Sequence, residues 1–163
     1  MRTYKNVNLG SVPPSVQLLF ENTKLDLIKT ILLLYSYSLR NSKKYRKVSE
    51  IVFYYSIVNF DLIGLFLSHI DTNKVFSTNQ YFRFQYSINQ LLLQLSQLGF
   101  IEVKGSPFVK FDDIKVRITS LGISFVNTLD SDYFTKIENK YLNAIDTIEF
   151  STANIKVLKG GTQ

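Results

Sequence analysis

Cysteine is absent from this chain. That removes disulfides and thiolate metal sites, and it fits a reducing, cytoplasmic setting. The N-terminal Met1-Arg2-Thr3-Tyr4-Lys5-Asn6 has no apolar run leading to a small-residue cleavage site, so no secretory leader is expected. The most apolar stretch, 51–70, is interrupted by Asn59, Asp61 and His69. An aspartate in mid-span is costly in lipid, so a buried helix pair is expected there rather than a membrane span. His69 is the single histidine. A zinc site takes three or four N, S or O ligands, and one imidazole makes neither such a cage nor a catalytic triad. Gly-rich phosphate loops and G-x-S-x-G elbows are also missing.

What is present is globular in character. The 163 residues favour one domain, and 45% are apolar against 20% charged. A chain of about this length hides roughly two thirds of its unfolded surface on folding. The formal net charge of +6 permits contact with nucleic acid or an acidic protein face.

Two helices are the clearest local signals. Leu25, Ile28, Leu32, Tyr35 and Leu39 mark a stripe on a helix over 24–39. Ile31, Leu33 and Leu34 widen its apolar surface, so this helix is expected to sit between other elements. Asn22-Thr23 is its N-cap candidate, and Pro13-Pro14 ahead of it predicts an extended or turn-like segment. Ile88, Leu91, Leu92, Leu95 and Leu98 mark a helix over 86–98, with Asn89, Gln90, Gln94 and Gln97 facing out and Gly99 at its C′ position.

Between them, 40–47 reads as a basic loop, 49–58 as a helix, 62–70 as a shorter helical piece and 71–80 as a loop. After Gly99, the alternation in 100–104 and 114–118 predicts a hairpin turned at Gly105-Ser106-Pro107. Thr119 or Ser120 caps a following helix. A last helix carries Phe134, Ile137, Tyr141, Ile145 and Ile148. The expected fold is mainly α with a small β-hairpin, winged-helix-like. Residues 1–150 would form one domain with an N-terminal helical extension, and 151–163 a mobile tail.

The strongest charge feature is Arg40, Lys43, Lys44, Arg46 and Lys47, with Tyr45 among them and no acidic residue between Asp26 and Glu50. Such a cluster can hold phosphates or an acidic protein face. Arg83 joins these six as a binding candidate. The helix 86–98 carries no Lys or Arg, whereas a DNA-reading helix usually supplies phosphate contacts, so a protein-contacting role is favoured for it. Glu102-Val103-Lys104 on a strand, with Asp61 or Asp71, is the one pattern resembling a Mg²⁺-dependent nuclease. Alternating charges on the wet face of a strand explain it more simply. Asp112-Asp113 and Asp130-Ser131-Asp132 read as turn and capping residues. No cofactor or metal is expected.

Four pieces carry a family resemblance: Tyr81-Phe82-Arg83, then Leu95-Ser96-Gln97-Leu98-Gly99-Phe100-Ile101-Glu102, then Ile118-Thr119-Ser120-Leu121-Gly122, and the run from Phe125 to Phe134. Over Ser49 to Ile145 the chain resembles the small middle component of three-component ABC-ATPase systems, the Lamassu-type anti-phage defence operons. The resemblance implies a non-catalytic subunit of a hetero-oligomer. It would bridge an SMC-like ABC ATPase and an effector, often a nuclease, with DNA reached through the complex. A winged-helix transcriptional regulator is the alternative from composition and element order.

Overall fold

The computed structural model describes residues 14–67, 79–105 and 113–160. Its elements run α1 (Pro14–Arg40), β1 (Arg46–Lys47), α2 (Val48–Asn59), a 3₁₀ turn (Ile63–Phe66), α3 (Asn79–Gln97), β2 (Ile101–Lys104), β3 (Lys115–Ile118), α4 (Ser120–Asn127), α5 (Asp132–Thr147) and α6 (Thr152–Leu158). The architecture is mainly helical with a small antiparallel sheet in the order β1-β3-β2.

α1 begins earlier than expected, at Pro14. Proline is at home in the first helical turn, where its missing N–H has no intrahelical partner to lose. Asn22 and Thr23 therefore lie inside the helix and do not cap it. The predicted stripe is also incomplete, because Leu39 is 51% exposed while Thr30 to Leu34, Ser36 and Tyr37 are all buried. The reason is that α1 packs against α2, α3, α4, α5 and β3 at once. Two of its buried hydroxyls donate back to the helix: Thr30 Oγ1 to the Asp26 carbonyl at 2.7 Å and Ser36 Oγ to that of Leu32 at 2.9 Å.

α2 is the centre of the core. Val48 and every residue from Ile51 to Val58 are buried. Its tyrosines must find acceptors in the interior. Tyr54 donates to the Ile148 carbonyl at 2.6 Å, and Tyr55 donates to Asp26 Oδ1 at 2.6 Å. The Tyr55 ring stacks on Phe84 of α3 at 3.7 Å. Asn59 Nδ2 donates to the fully buried Tyr141 hydroxyl of α5 at 2.6 Å. One helix is thus tied to α1, α3 and α5. Asp61, with φ of 54°, marks the break after it.

α3 is longer than predicted, since Tyr81 and Phe84 continue the buried spacing of Ile88, Leu91, Leu92 and Leu95 backward. Leu98, expected on that stripe, is 54% exposed. Gly99 takes the left-handed conformation expected at C′, with φ of 74°. Thr119 caps α4: its Oγ1 accepts from the Gly122 N–H at 3.1 Å and donates to the Gly99 carbonyl at 2.7 Å. Gly122 is needed for closeness, because a Cβ there would lie 2.4 Å from the Phe100 carbonyl oxygen. Residues 152–158, expected as part of a tail, form α6 and bury Leu158. Its apolar spacing is only two turns long, too short to stand out in sequence. The predicted turn residues Ser106 and Pro107, with Asp112, lie outside the described residues. So do residues 71–78 of the loop predicted over 71–80, while Asn79 and Gln80 begin α3. No helix among the described residues is long and apolar enough to cross a membrane.

Two outcomes follow. Gly122→Ala is expected to cost roughly 1–3 kcal/mol, since backbone must give way, lowering Tm by several degrees; an unchanged melt would contradict the packing. Burial raises the phenol pKa of Tyr37, Tyr54, Tyr55 and Tyr141, in the case of Tyr54 to about 12. The stability tied to these neutral phenols is complete below the unfolded value of 10.0 and falls as pH rises above it, the Tyr54 share being lost through about 12. Circular-dichroism melts should therefore show Tm falling steeply above about pH 10. A flat profile to about pH 11.5 would refute this.

Candidate functional site

The basic segment is not a simple loop. β1 pairs antiparallel with β3, Arg46 opposite Val116 and Lys47 opposite Lys115. Val48 N–H donates to the Ile114 carbonyl at 3.0 Å and extends the pairing. Successive strand residues alternate faces, so Arg46 and Lys47 part company. Val116 is fully buried, and Arg46 follows it inward. Its guanidinium lies 4.4 Å over the Tyr37 ring and reaches Glu50 Oε1 at 3.2 Å. Only 13% of that side chain is exposed. Lys47 is exposed.

The other predicted residues divide in the same way. Arg40 ends α1 and forms a paired hydrogen bond with Asp146 of α5. It fastens two helices. Arg46 fastens β1 to α2. Lys43 and Lys44 are exposed in the connection between α1 and β1. Arg83 falls inside α3, not ahead of it. It is exposed and borders a hollow of about 450 Å³ with Asp26, Tyr55, Asn59 and Phe84, away from the sheet.

Tyr45 is the pivot of the outward face. Its hydroxyl donates to Glu102 Oε2 at 2.6 Å, and Arg117 Nη2 donates to the same oxygen at 2.6 Å. Lys104 Nζ sits 4.0 Å from the Tyr45 ring centroid, and the Arg117 guanidinium carbon 4.5 Å. Arg117 also reaches the Lys43 carbonyl at 3.3 Å. The hydrogen bonds from Tyr45 and Arg117 hold the Glu102 carboxyl below its usual range, and the Glu102 bond raises the Tyr45 phenol. Glu102 and Lys104 thus meet a tyrosine and an arginine. Among the described residues no group of three or more His, Cys, Asp or Glu could hold a metal ion. His69 and Asp71 lie outside those residues.

Sequence reasoning missed two features. The register Lys104↔Lys115↔Lys47 sets three exposed lysines directly opposite one another across the sheet. Lys47 also borders a hollow of about 570 Å³ whose lining includes Gln85, Ser151 and Lys159, so the cationic track continues toward α6. The second feature is an apolar ridge on α3. Phe82 is 39% exposed, Tyr86 88% and Leu93 52%, and Val103 of β2 is 44% exposed. Leu93 and Val103 line one hollow of about 400 Å³ with Leu92 and Ile114. Of the polar residues predicted to face out from α3, Asn89, Gln90 and Gln97 are exposed and Gln94 is half-buried. The spacing 82, 86 and 93 puts these residues on one helix face, opposite the buried stripe of Ile88, Leu91 and Leu95, and the apolar periodicity of the sequence pointed only to that stripe.

Replacing Glu102 by Gln removes the main cause of the raised Tyr45 phenol. Tyr45 should then titrate at lower pH, read by NMR of ¹³C-labelled tyrosine. An unmoved titration would show that the Tyr45–Glu102 bond is not made. Compared with known proteins, the chain matches no family model, no curated protein and no solved structure.

Proposed function

We propose that this chain is a non-catalytic, winged-helix-like subunit that works by docking on larger protein partners. The observation that carries this reading is the exposed ridge Phe82, Tyr86, Leu93 on α3, flanked by Val103. The order helix, short strand, two helices, hairpin, with the first strand joining the hairpin as β1-β3-β2, supports the winged-helix comparison. In a DNA-reading member α3 would carry polar and cationic groups to base edges and phosphates. Here it carries one cation, Arg83, and three outward apolar side chains. Exposed aromatic and aliphatic groups on one helix face suit a protein interface, where aromatic residues supply much of the binding energy.

The partner class comes from the family resemblance: an SMC-like ABC ATPase, with an effector held on the same subunit. Hairpin and α3 together give a concave apolar seat, and the sheet's other face is polar and cationic. Two chemically different surfaces on one small body suit a bridging role. The Mg²⁺-nuclease alternative has less support, because the Glu102 oxygen it would need already accepts from Tyr45 and Arg117.

The test is isolation of the tagged chain from its own cells. It is expected to bring down an SMC-like ATPase. Tyr86→Glu with Leu93→Glu should weaken that capture about ten- to a hundredfold while leaving the melt unchanged, since both side chains are exposed. A chain that runs as a homodimer and shifts its own promoter DNA in preference to an unrelated duplex would overturn the reading in favour of a regulator. Unchanged capture by the double variant would remove α3 as the docking surface.

A further inference from the structure

We propose that the outward face of the three-stranded sheet docks on the phosphate backbone of a nucleic-acid duplex, without reading its sequence. The face is built by register. Lys47, Lys115 and Lys104 stand in one cross-strand row, and Arg117 opposite Glu102 forms the next. Like charges placed directly opposite destabilise a sheet. A chain that keeps three lysines there without an intervening carboxylate accepts that cost. Glu102 is the single acidic residue of the three strands, and its Oε2 is already shared by Tyr45 and Arg117. Four outward cations thus face one committed carboxylate, and Lys43 and Lys44 lie exposed beside them.

Charge complementarity commits the face to a polyanion, and the residue types choose among polyanions. Lysine is depleted from protein–protein interfaces, and arginine is the residue suited to gripping a carboxylate by two bonds. A flat row of lysines acts instead as point charges against phosphates. Adjacent strands lie about 4.8 Å apart, so the row is roughly 10 Å across and lies flat rather than in a pocket. Single strands are bound on open aromatic platforms, but Tyr45 has Lys104 and Arg117 against its ring and its hydroxyl engaged. No Asn or Gln occurs in the three strands to read adenine, and Arg117, the group on this face best suited to guanine, is held by Glu102 and the Lys43 carbonyl, which favours backbone contact over base reading. The apolar seat of α3 is built from other residues, and this inference does not depend on it.

The experiment is fluorescence anisotropy of the full chain with labelled duplexes of two unrelated sequences. Their single strands and a polyglutamate peptide are measured beside them, between about 50 and 200 mM salt. The unsubstituted chain should bind both duplexes equally and lose affinity steeply with salt. Lys47→Gln, Lys104→Gln and Lys115→Gln together should weaken binding about tenfold or more at about 100 mM salt. They should also make the log–log salt slope shallower by about two to three. The melting temperature should hold or rise, because cross-strand repulsion is removed. If the triple variant does not fold, Lys115→Gln alone should reduce the slope by about one. Lys136→Gln with Lys140→Gln on α5 should bind like the unsubstituted chain. Failure to bind duplex at about 50 mM salt, or unchanged affinity in the lysine variants, would overturn the proposal. Tighter binding of single strands, or of polyglutamate, would overturn it too, the latter in favour of an acidic protein segment.

Discussion

A two-residue strand governs the functional surface. Arg46 and Lys47 lie antiparallel to β3, and that pairing converts a run of cations into part of a sheet. The alternation of a strand then sends the two residues to opposite sides. Arg46 turns in, covers the Tyr37 ring and meets Glu50 at the start of α2, where a carboxylate also suits the helix dipole. Lys47 stays outside and completes the row with Lys115 and Lys104. Without the inward anchor there is little to hold so short a strand in register, and the outward row would lose one end.

The anchor works because α2 follows β1 with no intervening residue. α2 is fixed in the middle of the core by apolar burial and by tyrosine and asparagine hydrogen bonds to α1, α5 and the segment after α5. Buried hydroxyls are costly when unpaired, so these bonds restrict how neighbouring helices can sit. Position is therefore passed from the core to the sheet through covalent continuity. Arg40 adds a peripheral clamp from α1 to α5. Two of the five cations in the basic segment thus act as fasteners.

The sheet separates two environments. Its inward side buries Ile101, Val116 and Ile118, and at the open end Val103 joins Leu93 of α3 in an apolar hollow. Its outward side carries charge. A single small body can thereby present a dehydrating surface and an electrostatic one without mixing them. This separation underlies both the proposed protein docking and the proposed backbone contact.

The sequence alone located helices over 24–39, 49–58 and 86–98, the two strands of the hairpin, the Gly99 terminus and a cap at Thr119 or Ser120, because periodicity and capping are local properties. It also identified Arg40 to Lys47 and Arg83 as the cations to examine. Tertiary structure decided which of these cations are free to act, since Asp146, Glu50 and Tyr37 are remote from some of them or silent in pattern. It decided that Leu39 and Leu98 are exposed and that Phe82, Tyr86 and Leu93 form a surface ridge, because apolar spacing cannot say whether another element covers it. Above all it decided the lysine row: strands at 46, 104 and 115 are joined by hydrogen bonds between distant segments, and no local signal encodes that register.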